Sequence, residues 1–241
     1  MSSCFEILDQ YGNLIFNDAA YGVYAKKTAG TSARISTGSS ITPYVHNIPA
    51  VNNQLTAVQC PSASTITFAQ RKPEIQQDIY ICGALNIPYI ILDTPDNLTG
   101  SADYGLQVFN PAGAKIFDSG MQYFVIRDIV DISLETCAAA AAAGTKIPIS
   151  HAPCTNPYYI IAGLQYITID LIYGPYSGGR WQVWLRPIAI SSNTNSSFYL
   201  WYNTTWNFYN IDEGSKNSIV AAANATHTLP QFVLVGELKN A

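Results

Sequence analysis

Charge is scarce in this chain. Asp, Glu, Lys and Arg make up 12% of its 241 residues, against about a quarter in ordinary globular proteins. The net charge is -4, and no basic stripe exists to neutralise phosphates, which excludes nucleic acid and anionic membranes as partners. The densest basic spots, Lys26-Lys27 and Arg71-Lys72, read as solvated loops. Long apolar runs are also missing: none approaches the roughly eighteen residues of a membrane-spanning helix, so no membrane insertion is expected. The opening Met1-Ser2-Ser3-Cys4-Phe5-Glu6 has neither the basic nor the apolar region of a secretory signal, which places synthesis in a cytoplasm. Five cysteines, Cys4, Cys60, Cys82, Cys137 and Cys154, form no C-x-x-C pair and are odd in number, the pattern of reduced, buried thiols. The Asn-x-Ser/Thr triplets at Asn97, Asn195, Asn203 and Asn224 follow from an Asn- and Thr-rich composition.

The usual carriers of catalysis are missing as well. No G-x-S-x-G elbow exists, and His46, His151 and His227 lie far apart in loop-like contexts. His151 and Cys154 are close, but no second pair completes a zinc site. The run from Tyr176 to Arg180 is glycine-rich without the Walker lysine. Asp93, Asp96 and Asn97 lack the EF-hand spacing and fit a turn. No metal and no cofactor is expected. Paired carboxylates are the remaining enzymatic option, drawn from Asp128, Asp131, Asp170, Asp212 and Glu213; exposed strand faces and a solvated turn account for most of them.

What is abundant is the material of β-structure: Tyr, Thr, Ser, Asn, Gly and Pro. Strand-like runs punctuated by turns fall at residues 64–70, 78–82, 89–92, 121–131, 158–161, 166–172, 181–186, 197–202 and 231–238. Two stretches make the same hairpin. In one, Leu106, Val108 and Phe109 lead into Asn110-Pro111-Ala112-Gly113 and return through Lys115-Ile116-Phe117; in the other, Phe5, Ile7 and Leu8 lead into Asp9-Gln10-Tyr11-Gly12 and return through Leu14-Ile15-Phe16. Gly12 and Gly113 are the structural turn glycines, placed for the left-handed conformation of a bulged hairpin. One offset superposes Gly12 on Gly113, Ile15 on Ile116 and Phe16 on Phe117, which points to an internal duplication. The expected fold is therefore all-β: two tandem β-sandwich-like domains, each opening with a related hairpin. Residues 1–98 form the first, 99–103 the linker, and 104–241 the second, with aromatic-rich strands. One short Ala-rich helix is expected from Ser133, as N-cap, to Gly144.

All four tryptophans, Trp181, Trp184, Trp201 and Trp206, fall between residues 173 and 209. In a strand, residues an odd number apart point to opposite faces, so Trp181 opposes Trp184 and Trp201 opposes Tyr202. One of each pair faces solvent or a partner. Trp181, Trp184, Trp201, Tyr202 and Trp206 are thus the candidates for a subunit interface or a glycan contact.

The stretch YGLQVFN (Tyr104 to Asn110), followed by Gly113, by FDS (Phe117 to Ser119) and by YFVIRDIVDI (Tyr123 to Ile132), resembles the opening of small structural proteins in the tail-tip or baseplate modules of tailed bacteriophages. The resemblance covers about 30 residues, and the first copy departs from it in lacking the Y-G-L opening. It implies a location, the virion tail, with synthesis in the bacterial host. It also implies a role: a structural, non-catalytic component supporting tail assembly and host attachment. The partners would be other phage tail proteins, within a homo-oligomer for which a tail tip favours three-fold symmetry. Two rival functions remain, a carbohydrate-binding module for a host-surface glycan and a glycosidase.

Overall fold

The structure is a computed structural model describing residues 6–8, 14–17, 24–33, 35, 45–51, 53–60, 64–82, 84–98, 105–143, 146–174, 180–202 and 206–240. The first part of the chain forms β1 (Glu6–Leu8), β2 (Leu14–Asn17), β3 (Ala25–Ala33), β4 (Val45–Pro49), β5 (Leu55–Val58), β6 (Ile66–Lys72), β7 (Gln77–Cys82) and β8 (Asn86–Asp93). A one-turn helix, Pro95–Asn97, then leads to β9 (Gln107–Phe109), β10 (Lys115–Asp118), β11 (Gln122–Ile132), α1 (Leu134–Ala143), β12 (Ile147–Ser150) and β13 (Tyr158–Ile160). The remainder is β14 (Ile167–Gly174), β15 (Arg180–Thr194), β16 (Ser197–Tyr202), β17 (Trp206–Ile211), α2 (Glu213–Ala225) and β18 (Gln231–Asn240). Every strand expected from the sequence is present, and all pairings between these strands are antiparallel. The all-β class holds. Lys26-Lys27 and Arg71-Lys72, expected in loops, lie in β3 and β6.

The two hairpins form with one register. Glu6, Ile7 and Leu8 face Asn17, Phe16 and Leu14; Gln107, Val108 and Phe109 face Asp118, Phe117 and Lys115. Each return strand skips one residue, Ile15 in the first and Ile116 in the second, the very residues that the sequence offset superposes. In the second hairpin the Asn110 side chain accepts hydrogen bonds from the Ala112 and Ala114 N–H groups at 3.0 and 2.9 Å, and Gly113 has φ +83°. Gly12 lies outside the described residues.

The duplication continues through the whole topology. Six strands close a barrel in the order β11-β18-β13-β5-β8-β3, and a separate sheet runs β12-β16-β15-β6-β7-β4, with β14 and β17 also paired to β15. The first repeat therefore supplies β3-β8-β5 to the barrel, and the second supplies β11-β18-β13 in the corresponding order. The sheet divides likewise into β4-β7-β6 and β12-β16-β15. Each seam joins a strand to its own counterpart: β3 to β11, β5 to β13, and β6 to β15. Antiparallel pairing of like with like is what a two-fold axis between the repeats requires. Skipped residues match again, Lys27 in β3 with Arg127 in β11, and Ala69 in β6 with Asn193 in β15. Ile66 and Ile190, each three residues before its strand's skipped position, meet at the β6–β15 seam and are fully buried. Among the described residues, the additions α1, β14, β17 and α2 belong to the second repeat alone.

The boundary at 99–103 thus separates two repeats in sequence, but residues 1–98 and 104–241 are not two separately packed sandwiches. Strands from both share the barrel and the sheet, and one core joins Ile48, Ile66 and Tyr80 to Val130, Ile190 and Phe198. The physical reason is the open edge: a three-stranded half-barrel has unpaired edges that the other half satisfies. The expected helix is α1, with the Ser133 Oγ accepting from the Thr136 N–H at 3.0 Å. Helix α2 was not expected. Its N-cap, Asp212, accepts from the Ser215 N–H at 2.6 Å.

Expressed apart, residues 1–98 and 99–241 are expected to show no cooperative melt, and to regain one when refolded together at equal concentration. A cooperative melt of residues 1–98 alone would contradict the shared core. A Cβ at Gly113 meets open space, so Gly113→Val costs backbone strain only, about 1–2 kcal/mol by denaturant titration. Gly113→Asn, which tolerates this conformation, is expected to cost less.

Candidate interaction surface

The segment YGLQVFN…FDS builds the second hairpin and anchors it to the barrel. The Phe117 ring stacks on Tyr123 of β11 at 5.3 Å, and the Tyr123 hydroxyl accepts from the Asp118 N–H at 2.7 Å while donating to the Asp118 carbonyl at 3.0 Å. Asp118, 1% exposed, accepts from the Gly120 N–H, from Gln107 and from Lys115. Burial alone would raise its carboxyl pKa; these donors outweigh burial and hold it below the ordinary range. Ser119 accepts from the Leu106 N–H at 2.8 Å. Held this way, the hairpin leaves Leu106, just before β9, 52% exposed and Phe109, at the end of β9, 54% exposed, and the outer edge of β9 pairs with nothing among the described residues.

Of the aromatic candidates, Trp181 is half-buried and gripped by α2. Lys216 Nζ lies 4.2 Å from its ring centroid, and its indole N–H donates to Glu213, which also pairs with Lys216. That ring is a clasp between β15 and α2. Trp201 and Tyr199, two apart on one face of β16, share a different cation: Lys146 Nζ lies 5.4 Å from the first ring and 5.7 Å from the second. The side chains of Trp184, Tyr202 and Trp206 lie outside the described residues. The structure brings Trp181 and Trp184 into β15, Trp201 and Tyr202 into β16, and Trp206 into β17, and these strands are neighbours through β15.

Most of the titratable candidates are engaged in holding the fold. His151 bonds the Ala152 carbonyl at 2.8 Å and packs against the Tyr159 and Phe198 rings; Cys154 lies 3.5 Å from the same carbonyl. His46 is buried between the Ser32 and Ala84 carbonyls, and His227 stacks on Tyr166. Asp128 accepts from the Ala152 N–H at 2.8 Å, Asp131 is exposed, and Asp212 caps α2. The Asp170 side chain lies outside the described residues. Asp96 accepts from the Lys115 N–H, consistent with a turn at Pro95–Asn97. Among the described residues no group of three His, Cys, Asp or Glu is placed to hold a metal ion, and no helix is long and apolar enough to cross a membrane. Burial pushes the Cys82 and Cys137 thiols up to about 11, where they are poor nucleophiles at neutral pH.

Two ion pairs occupy equivalent places in the repeats. Arg127 lies 2.6 Å from Glu237, and Lys27 lies 3.5 Å from Asp93. Burial would raise both acids; instead the Thr155 N–H, Arg127 and Lys239 hold Glu237 below its ordinary value, and Asn97, Gln54, the Thr94 N–H and Lys27 do the same for Asp93. Two clefts flank the seams between repeats. One, of about 410 Å³, is apolar and includes Phe68, Ile81, Leu164, Ile167 and Leu185; its cation, Arg71, is bonded through two nitrogens to Asp78. The other, of about 430 Å³, includes Lys26, Lys27, Asn97 and Gln122. Sequence reasoning passed over this second cleft because Lys26-Lys27 carries no apolar pattern; the counterpart basic residue at Arg127 was the available signal. No protein-family model, curated protein or solved structure matches the chain.

Because Glu237 and Asp93 sit below ordinary values of 4.5 and 3.8, they stabilise the fold above that range, and the contribution disappears as pH falls through their lowered folded values. The melting temperature is expected to drop on acidification below about pH 4, and the Glu237→Gln variant to lose stability near neutrality by about 3–5 kcal/mol, leaving Arg127 unpaired. An acid profile identical in wild type and variant would contradict this.

Proposed function

We propose that the protein is a structural component of a bacteriophage virion tail, in a tail-tip or baseplate assembly, acting through contact surfaces without catalysis. The observation that carries this reading is the second hairpin: the residues of the tail-protein-like motif build an element whose exposed apolar side chains, Leu106 and Phe109, belong to no core cluster. An exposed strand edge with apolar flanks is a docking element for another chain. The partners are other tail proteins and further copies of the chain, in a three-fold homo-oligomer. A second reading, a carbohydrate-binding host-receptor module, is favoured by Tyr199 and Trp201 on one strand face. The glycosidase reading is weaker, since Asp128, Asp212 and Glu213 serve structural hydrogen bonds.

Gold-labelled antibody against the chain is expected to decorate virion tails in electron micrographs. The Leu106→Ser, Phe109→Ser double variant should lose incorporation into tails at least tenfold, with an unchanged melting temperature, and the purified protein should sediment as a multimer. Unlabelled tails, or full incorporation of the double variant, would contradict the proposal. Turnover of a host polysaccharide with release of reducing ends would replace it with the glycosidase.

A further inference from the structure

We propose that the cleft at the β3–β11 seam binds an acidic sugar through its carboxylate. This inference is independent of the tail reading.

The internal duplication provides the comparison. At the equivalent bulges, the second repeat carries Ile126 and Arg127, and the Arg127 guanidinium is locked on Glu237 at 2.6 Å. The first repeat carries Lys26 and Lys27. A bulge turns successive side chains toward the same side of a strand, and both lysines line the cleft. Asp93 accepts from Gln54 at 2.7 Å, from the Thr94 N–H at 2.9 Å and from Asn97 at 2.9 Å. Oδ1 thus accepts two of these bonds and Oδ2 one, so that Lys27, at 3.5 Å and 43% exposed, is the longest of four contacts to this carboxylate. Lys26 donates to the Gln122 side-chain oxygen and pairs with no carboxylate among the described residues. Two ammonium groups therefore have hydrogens to offer an anion where the other repeat has one satisfied guanidinium.

The remaining lining selects the rest of the ligand. The Asn97 side-chain oxygen accepts no hydrogen bond among the described residues, its nitrogen being given to Asp93 and Thr94, so it is available to a hydroxyl. Leu98 and Met121 supply an apolar wall of the kind that lies against the C–H face of a pyranose. A volume of about 430 Å³ is within the span of small-molecule sites, about 300–1,000 Å³. A carboxylate flanked by hydroxyls, as in a uronate, satisfies all three elements.

Isothermal titration at low ionic strength with D-glucuronate, glucose, acetate and glucose 6-phosphate tests this. Glucuronate is expected to bind with Kd of about 1–10 mM, and glucose and acetate at least tenfold more weakly. Lys26→Met with Lys27→Met should weaken glucuronate binding at least tenfold at a temperature where circular dichroism shows the variant to be folded. Should that variant fold poorly, 0.5 M salt on the wild type should weaken glucuronate severalfold, as screening of a lysine-held anion requires. Absence of binding at about 50 mM glucuronate, well above the expected Kd, overturns the site. Equal binding by the variant, or insensitivity to salt, does the same. Glucose binding as tightly as glucuronate overturns the role of the carboxylate, acetate binding as tightly overturns the sugar, and tighter binding of the phosphate overturns the choice of anion.

Discussion

Open strand edges dictate the architecture. A unit of three barrel strands and three sheet strands ends in rows of unpaired N–H and C=O groups, and such edges seek another strand. Here each edge finds its own counterpart: β3 meets β11, β5 meets β13, and β6 meets β15. The seams are sparse in paired residues, so the strength of the join comes from what lies beneath them. Ile66 and Ile190, in register at one seam and fully buried, belong to the core that both repeats build.

A duplicated chain is free to let its copies diverge wherever the core does not forbid it, and the divergence is uneven. Both bulges keep a basic residue beside a buried acid, Lys27 with Asp93 and Arg127 with Glu237. The pairs differ in tightness, and the looser one opens on the cleft. The second repeat has instead taken on additions. β14, β17 and α2 extend the sheet around β15, with Trp181 clasped by Lys216, and α1 contributes Cys137 and Ala140 to the core. The concave polar surface thus lies at the seam, with its lysines from the first half, and the aromatic surface lies in the second half.

The sequence made the hairpins legible because their turn chemistry is local: Asn110, Pro111 and Gly113 specify a bulged turn with no help from the rest of the chain. Strands with an apolar alternation, such as β7 and β18, were equally plain. β3 was not, since AKKTAGTSA buries only Ala25 and Ser32 in a strand otherwise largely open to solvent. Helix α2 hid behind a polar sequence whose one strong signal is the Asp212 cap. The full extent of the duplication was hidden by the additions. Equivalent residues lie 100 apart at Lys27 and Arg127, 124 apart at Ile66 and Ile190, and 144 apart at Asp93 and Glu237, so no single offset reveals them. The facings of Trp184, Tyr202 and Trp206 lie outside the described residues, and the grip of α2 on Trp181 depends on tertiary contacts that no periodicity encodes.

The central claim is that the two repeats are interleaved halves of one cooperative unit. Native-state hydrogen exchange tests it most directly, because it reads the opening free energy of each amide. The prediction is that slow amides in β5 and β8 of the first repeat and in β13 and β18 of the second exchange at the same free energy, by one global unfolding. Two distinct plateaus, one for residues before 99 and another for residues after 103, would contradict it.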